Sequence, residues 1–169
     1  VRVSFVIDRL SRAGTESQLL ALIREVDRSR VEPSLVLLDG MDDESRSLEP
    51  ENCEVVRLGV RRLASVGAAR AVSRLREHWR AFQPDVVQAY FLDSAYFAAP
   101  IAKWCGVPTV LRVRNNLGYW LTGRHRFMNR VIGRWVDGVL TNSEAGKQAL
   151  VERDQLTPDF VTVVENGVD

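Results

Sequence analysis

The apolar residues 3–7 run through a short basic loop into Ala13-Gly14-Thr15-Glu16 and then an amphipathic segment, a spacing suited to binding an anion. A strand that stops at a small turn directly before a helix leaves the first helical N–H groups unpaired, with the positive end of the macrodipole behind them. Gly14 either lets a ligand approach the backbone closely or simply makes the turn, and the residues alone leave both readings open. Thr15 and Gln18 have the spacing of a capping box, which predicts a helix starting at Thr15. Glu16 lies in the first turn, where it would stabilise the empty helix and repel a phosphate. The loop has neither the G-x-G-x-x-G spacing nor the Gly-Lys-Ser/Thr of a Walker A motif, so those two enzyme classes lose ground.

A second group of candidates lies further on. In Tyr90-Phe91-Leu92-Asp93-Ser94, aromatic rings and a carboxylate could stack on and hydrogen-bond a sugar. Equally, Phe91 could staple the core while Asp93 or Ser94 caps a helix. Between Ser94 and Val136 there is no Asp or Glu, while Lys103, Arg112, Arg114, Arg124, Arg126, Arg130 and Arg134 are all present, which predicts a surface of one sign. Arg114, just after a strand and followed by Asn115 and Asn116, suits a bidentate grip on phosphate or carboxylate. With Arg61, Arg62, Arg70, Arg74, Arg76 and Arg80, these arginines also suit an anionic membrane surface. His78 and His125 sit among arginines on predicted helices, where a solvated face is the economical expectation. There is no convincing Ser/His/Asp or Cys/His set, and no general base is assigned.

These residues need a scaffold, and the apolar pattern predicts one in which strand and helix alternate. Strands are expected at 3–7, 34–38, 54–58, 86–89, 109–113, 138–141 and 160–164. Helices are expected from Thr15 to near Arg28, from Ser65 to Phe82, over 94–105, over 127–136, and from a Ser143 cap to about Arg153. Residues 39–52 carry Gly40, Pro50 and a cluster of acids without apolar periodicity and are expected to form an exposed loop. Short apolar strands separated by helices imply a Rossmann-like, doubly wound, mostly parallel seven-stranded sheet with helices on both faces, and ligands beyond the carboxyl ends of its strands.

At 169 residues and 46% hydrophobic content the chain has the size of a single domain over 1–169. A net charge of +1 gives no argument for nucleic acid, and no apolar run is long enough for a transmembrane helix. Cys53 and Cys105 lack metal-ligand spacing and are expected to be buried free thiols of a reducing, cytoplasmic compartment, with no metal site. The missing initiator Met and an end just past a strand point to a piece of something longer.

The residues also carry a resemblance that covers nearly the whole chain in order. Ala13-Gly14-Thr15-Glu16 resembles the glycine-glycine-x-glutamate loop of retaining family 4 glycosyltransferases. Residues 84–89 resemble their "pDvvha" strand, Gly106-Val107-Pro108 their "gvP" turn, residues 136–144 their "aD.vitnSe" segment, and 163–169 the "vi.NGvD" that closes their N-terminal domain. The resemblance implies the acceptor-binding N-terminal half of a two-domain GT-B enzyme, whose nucleotide-sugar-binding half is absent from this chain. It implies transfer from a nucleotide-diphosphate sugar to a sugar or lipid-linked hydroxyl acceptor, in polysaccharide, lipopolysaccharide or glycolipid synthesis, without a cofactor or metal. The loop Ala13, Gly14, Thr15 and Glu16 would face the donor diphosphate; Tyr90, Asp93, Arg114, Asn115, Asn116, Ser143 and Glu144 would line the acceptor side. The isolated half is expected to be inactive, to self-associate through an exposed apolar patch, and to touch the inner face of a membrane peripherally. Ala13 departs from the family's first glycine, and Gln88, Tyr90 and Arg114 stand where many relatives carry histidine, so no catalytic residue is carried over. Two other readings remain: a non-catalytic anion- or carbohydrate-binding module, and a GT-B nucleotide-sugar epimerase or phosphorylase.

Overall fold

A computed structural model describes residues 1–115, 118 and 122–167. Seven strands form one sheet: β1 (Arg2–Ile7), β2 (Glu32–Leu37), β3 (Glu54–Arg57), β4 (Val86–Tyr90), β5 (Thr109–Val113), β6 (Gly138–Thr141) and β7 (Val161–Val163). Their order is β3-β2-β1-β4-β5-β6-β7, and every neighbouring pair is parallel, with Phe5 beside both Leu35 and Gln88. The intervening helices are α1 (Gly14–Glu25), α2 (Asp43–Ser47), α3 (Val66–Phe82), α4 (Leu92–Trp104), α5 (Gly123–Ile132) and α6 (Glu144–Asp154).

Strand order and handedness together decide where the helices lie. Right-handed crossovers put the connections that run outward from β1 to β2 and β3 on one face, and those that run the other way from β3 through β4 to β7 on the opposite face. The core divides accordingly. Leu19 and Ile23 of α1 cover Phe5, Ile7, Leu35 and Leu37 on the first face. Leu75 and Trp79 of α3, Ala98 and Ala102 of α4, Ile132 of α5 and Leu150 of α6 cover the second. On the first face, the cluster under α1 takes in Tyr90 and Val113 at the carboxyl ends of β4 and β5 and stops there. Val86, Gln88, Thr109, Leu111 and Leu140 are therefore half-exposed and Thr162 is exposed, alternating with buried neighbours on the covered side.

Several expected boundaries move. Helix α1 starts at Gly14 with Ala13 in the N-cap position and no side-chain cap, so Thr15 is inside the helix and the capping box does not form. The acidic loop contains the short helix α2, started by Asp42, whose carboxylate accepts from the Ser45 N–H at 2.9 Å. Helix α5 starts at Gly123, four residues earlier than expected, because the polar first turn Gly-Arg-His-Arg has no apolar periodicity; there His125 Nδ1 accepts from the Thr122 N–H at 3.2 Å.

Two other expectations are corrected. His78 is buried rather than solvated. Its ring stacks on Phe82 at 5.6 Å, Nε2 lies 3.2 Å from Ser34 Oγ, and Nδ1 lies 3.3 Å from Glu54. Burial is the main cause holding its pKa below the usual value, against the opposing pull of Glu54. Both cysteines are free but only half-buried, because each sits at the edge of an element rather than within the sheet.

Candidate functional site

The strand order reverses between β1 and β4, where helices leave in opposite directions and a crevice opens beyond the carboxyl ends. A cleft of about 1020 Å³ occupies this position and extends across β5. Its walls come from the ends of β1, β4 and β5, the start of α1, the segment before α3 and the start of α5.

Asp8, the first residue past β1, is central to the crevice and was not singled out from the sequence. Its carboxylate crosses the switch point and accepts from the Ser94 N–H at 2.9 Å and from the Ser94 hydroxyl. Ser94 is the third residue of α4, so Asp8 does the work of an N-cap that its own helix lacks. The residue in the N-cap position is Phe91, with φ 63° and ψ 176°. That region is essentially restricted to glycine, and a bulky residue held there stores strain of the kind that gathers at functional sites. The signals were an acid closing an apolar strand, and an aromatic at the tightest point of the β4–α4 turn.

Burial pushes the Asp8 carboxyl up from 3.8 to about 6, opposed by the Ser94 hydroxyl and reinforced by the nearby Asp93 charge. Between about pH 4 and 6 the folded chain thus holds this proton more tightly than the unfolded chain does, so the stability the group contributes is complete at low pH and lost as pH rises through about 6. Asp27 and Asp42, held low by hydrogen bonds from Ser29 and Ser45, titrate in the opposite sense. Asp8→Asn should isolate the effect. It should be more stable than the wild type at pH 7, by on the order of 2 kcal/mol, with the difference fading toward pH 4. Urea unfolding of both proteins across that range measures it; a constant difference would refute the assignment.

At the start of α1, Thr15 lines the cleft, and a Cβ built on Gly14 meets nothing within 4 Å. The fold therefore does not require glycine at position 14. Glu16 is buried and accepts from the Ser11 hydroxyl at 2.7 Å.

Of the expected acceptor-side residues, Asp93, Arg114 and Asn115 line the cleft. Tyr90 does not. Its ring belongs to the cluster under α1, 6.5 Å from Phe5, and its hydroxyl accepts from Gln88 Nε2 at 2.8 Å, because alternation along β4 turns it to the face opposite Ala89. Its neighbour Phe91 lines the cleft instead, together with Tyr96 of α4. Ser143 caps α6, accepting from the Gly146 N–H at 3.1 Å, and Glu144 follows it on the surface; neither lines the cleft. Asn116 lies outside the described residues.

The expected one-signed surface is also corrected. Arg112 and Arg114 are buried, because every second residue of β5 from Val110 faces the second-face helices. Arg114 pairs with Asp154 at the end of α6, and Arg112 Nη1 donates to Asn129 Oδ1 at 3.1 Å. That oxygen also accepts from the Tyr96 hydroxyl at 2.8 Å. Sequence reasoning missed Tyr96, Asn129 and Asp154, although strict alternation through Val110, Arg112 and Arg114 was the available signal for a buried pair. Arg124, Arg126 and Arg130 remain on α5 around Phe127, which is 66% exposed.

Residues 13–167 match the family profile of the glycosyl transferase 4-like domain. No curated protein sequence matches the chain. Among solved structures, Anabaena HepE in complex with UDP and glucose is similar, with TM-score 0.77 at 16% identity over 99% of this chain and 45% of that one. Acinetobacter baumannii MurG gives 0.68 at 16% identity, over 99% and 46%. A UDP-GlcNAc 2-epimerase from Methanocaldococcus jannaschii gives 0.71 at 13%, over 98% and 46%. The chain thus spans slightly under half the length of each of these structures.

Proposed function

The chain belongs to the glycosyl transferase 4-like domain family, and from that premise we propose that it is the acceptor-side half of a two-domain GT-B glycosyltransferase. The observation that carries this reading is the family match over residues 13–167, on a sheet whose cleft opens at its switch point. A second domain would bring the nucleotide-diphosphate sugar to the opposite wall. The N–H groups around Gly14 and Thr15 would then face the leaving diphosphate and stabilise its developing charge. Asp93, Arg114 and Asn115 would contact a sugar or lipid-linked acceptor, whose hydroxyl receives the sugar with retention of configuration. Ser143 and Glu144, away from the cleft, could meet only a distal part of such an acceptor. The reaction proposed assigns no cofactor or metal to this half, and polysaccharide, lipopolysaccharide or glycolipid assembly is its expected setting.

Two surface features extend the proposal. The exposed Phe127 among Arg124, Arg126 and Arg130 suits peripheral contact with an anionic, cytoplasmic membrane face; no described helix is long and apolar enough to cross a membrane. The half-exposed residues of β4 to β6 would let isolated chains associate, and strictly monomeric light scattering at high concentration would refute that.

Sugar transfer by the intact reading frame, and its absence from residues 1–169 alone, is the expected result. Full-rate transfer by the isolated chain would overturn the division of labour. The likeness to 2-epimerases supports a second reading. Analysis of the product formed from a nucleotide sugar separates the two, since an epimerase leaves the sugar on its nucleotide.

A further inference from the structure

At the carboxyl end of β5, Arg112 and Arg114 lie two residues apart on one face of the sheet, 6% and 4% exposed. Among the described residues, one carboxylate contacts the pair, and it contacts only Arg114. Asp154 contacts Nη1 of Arg114, while Arg112 has only the neutral side-chain oxygen of Asn129, which it shares with Tyr96. Nε of Arg112, Nε and Nη2 of Arg114 and Nδ2 of Asn129 are buried without a partner among the described residues. A guanidinium removed from water is normally compensated by a counter-ion and a full set of acceptors, and this pair is one negative charge short. Burial and the neighbouring Arg114 charge push the Arg112 pKa down to about 10, so it remains a cation at neutral pH. Both arginines line the 1020 Å³ cleft, where Arg61, Arg62 and Arg124 outnumber Asp8 and Asp93.

We propose that Arg112 and Arg114 form an oxyanion site, at which a phosphate or carboxylate group of the acceptor docks from the cleft and supplies the missing negative charge. The proposal rests on the acceptor-side reading above and makes the acceptor an acidic one. Guanidinium forks match the oxygens of such groups in pairs, and a site already out of water makes each of those hydrogen bonds charge-assisted. Asn129 and Tyr96 hold the Arg112 fork in place, and Asp154 does the same for Arg114, so they act as positioning residues.

The test is anion titration of the chain at constant ionic strength, followed by calorimetry and thermal unfolding. The probes are inorganic phosphate, glucose 6-phosphate, glucuronate and UDP. The wild type should bind glucose 6-phosphate or glucuronate saturably and unfold at higher temperature when bound. In Arg112→Met the affinity should fall roughly 10- to 100-fold, yet without anion this variant should unfold at or above the wild-type temperature, because an uncompensated charge has gone. Arg112→Lys keeps the charge without the fork and should bind with intermediate affinity, which preserves the test if the Met variant folds poorly. Absence of saturable binding by the wild type, or wild-type affinity in both variants, overturns the proposal. So does Arg112→Lys unfolding well below the wild type, which would mark a purely structural role. Arg112-dependent binding of UDP alone would assign the pair to the donor diphosphate and overturn the acidic acceptor. None of these outcomes decides whether the intact reading frame transfers sugar, which product analysis reads separately.

Discussion

Replacing Asp154 with alanine should destabilise the folded chain by about 3–5 kcal/mol, the usual penalty for leaving a buried charge without its partner. The side chains of Asp154 and Arg114 are 5% and 3% exposed, so water cannot take over from the lost carboxylate. Two guanidiniums would then share the interior without a carboxylate contact among the described residues, Arg112 keeping the neutral Asn129 oxygen. Asp154→Asn should cost nearly as much, because it restores shape and not charge. The penalty should shrink in an Arg112→Met background, since one of the two like charges has gone, and a double-mutant cycle measures that coupling. Urea midpoints with unchanged slopes are the readout. A loss below about 1 kcal/mol would mean that Arg114 does not depend on Asp154.

Trp79→Ala should be comparably severe, at about 3–5 kcal/mol. Trp79 is 2% exposed and fills the space between α3 and the second face of the sheet. Its Nε1–H donates to Ser4 Oγ at 2.9 Å, which also accepts from Ser34 Oγ at 3.0 Å, and Ser34 in turn meets His78. The truncation therefore opens a cavity and strips a buried hydroxyl of its donor. Trp79→Phe keeps a six-membered ring and loses the N–H with two ring carbons, so its cost should be smaller, about 1–3 kcal/mol. Chemical denaturation of the two variants separates packing from hydrogen bonding; equal losses would assign the whole effect to the polar chain.

How much of this was legible in the sequence depended on whether a signal was local. The β5 and β6 boundaries match the expectation because strand-forming Val, Leu and Thr follow directly on Pro108 and Asp137. Ser143 caps its helix as expected, and Ser65, expected only as the start of a helix, turns out to be that helix's cap, since capping is a three-residue matter. Thr15 failed to cap because α1 begins one residue earlier, and the Ala13 methyl offers no acceptor. Asp8 was illegible for a different reason: its partner Ser94 is 86 residues away, and only the return of β4 beside β1 brings them together. Arg114 was noticed for its charge and Arg112 was taken for surface, although β-strand alternation placed both on the buried side. The three arginines of α5, Arg124, Arg126 and Arg130, are exposed charge as expected, whereas the exposure of Phe127 among them was not foreseen.

The bare half of the first sheet face constrains how such a domain can be elaborated. Handedness places the described crossover helices between β3 and β7 on the other side, so exchanging one of them leaves Val86 and Leu111 where they are. Polypeptide added before the first strand or after the last, or another molecule altogether, reaches that surface most directly. Growth within the domain and growth onto it are separate routes, and the topology keeps them on opposite sides.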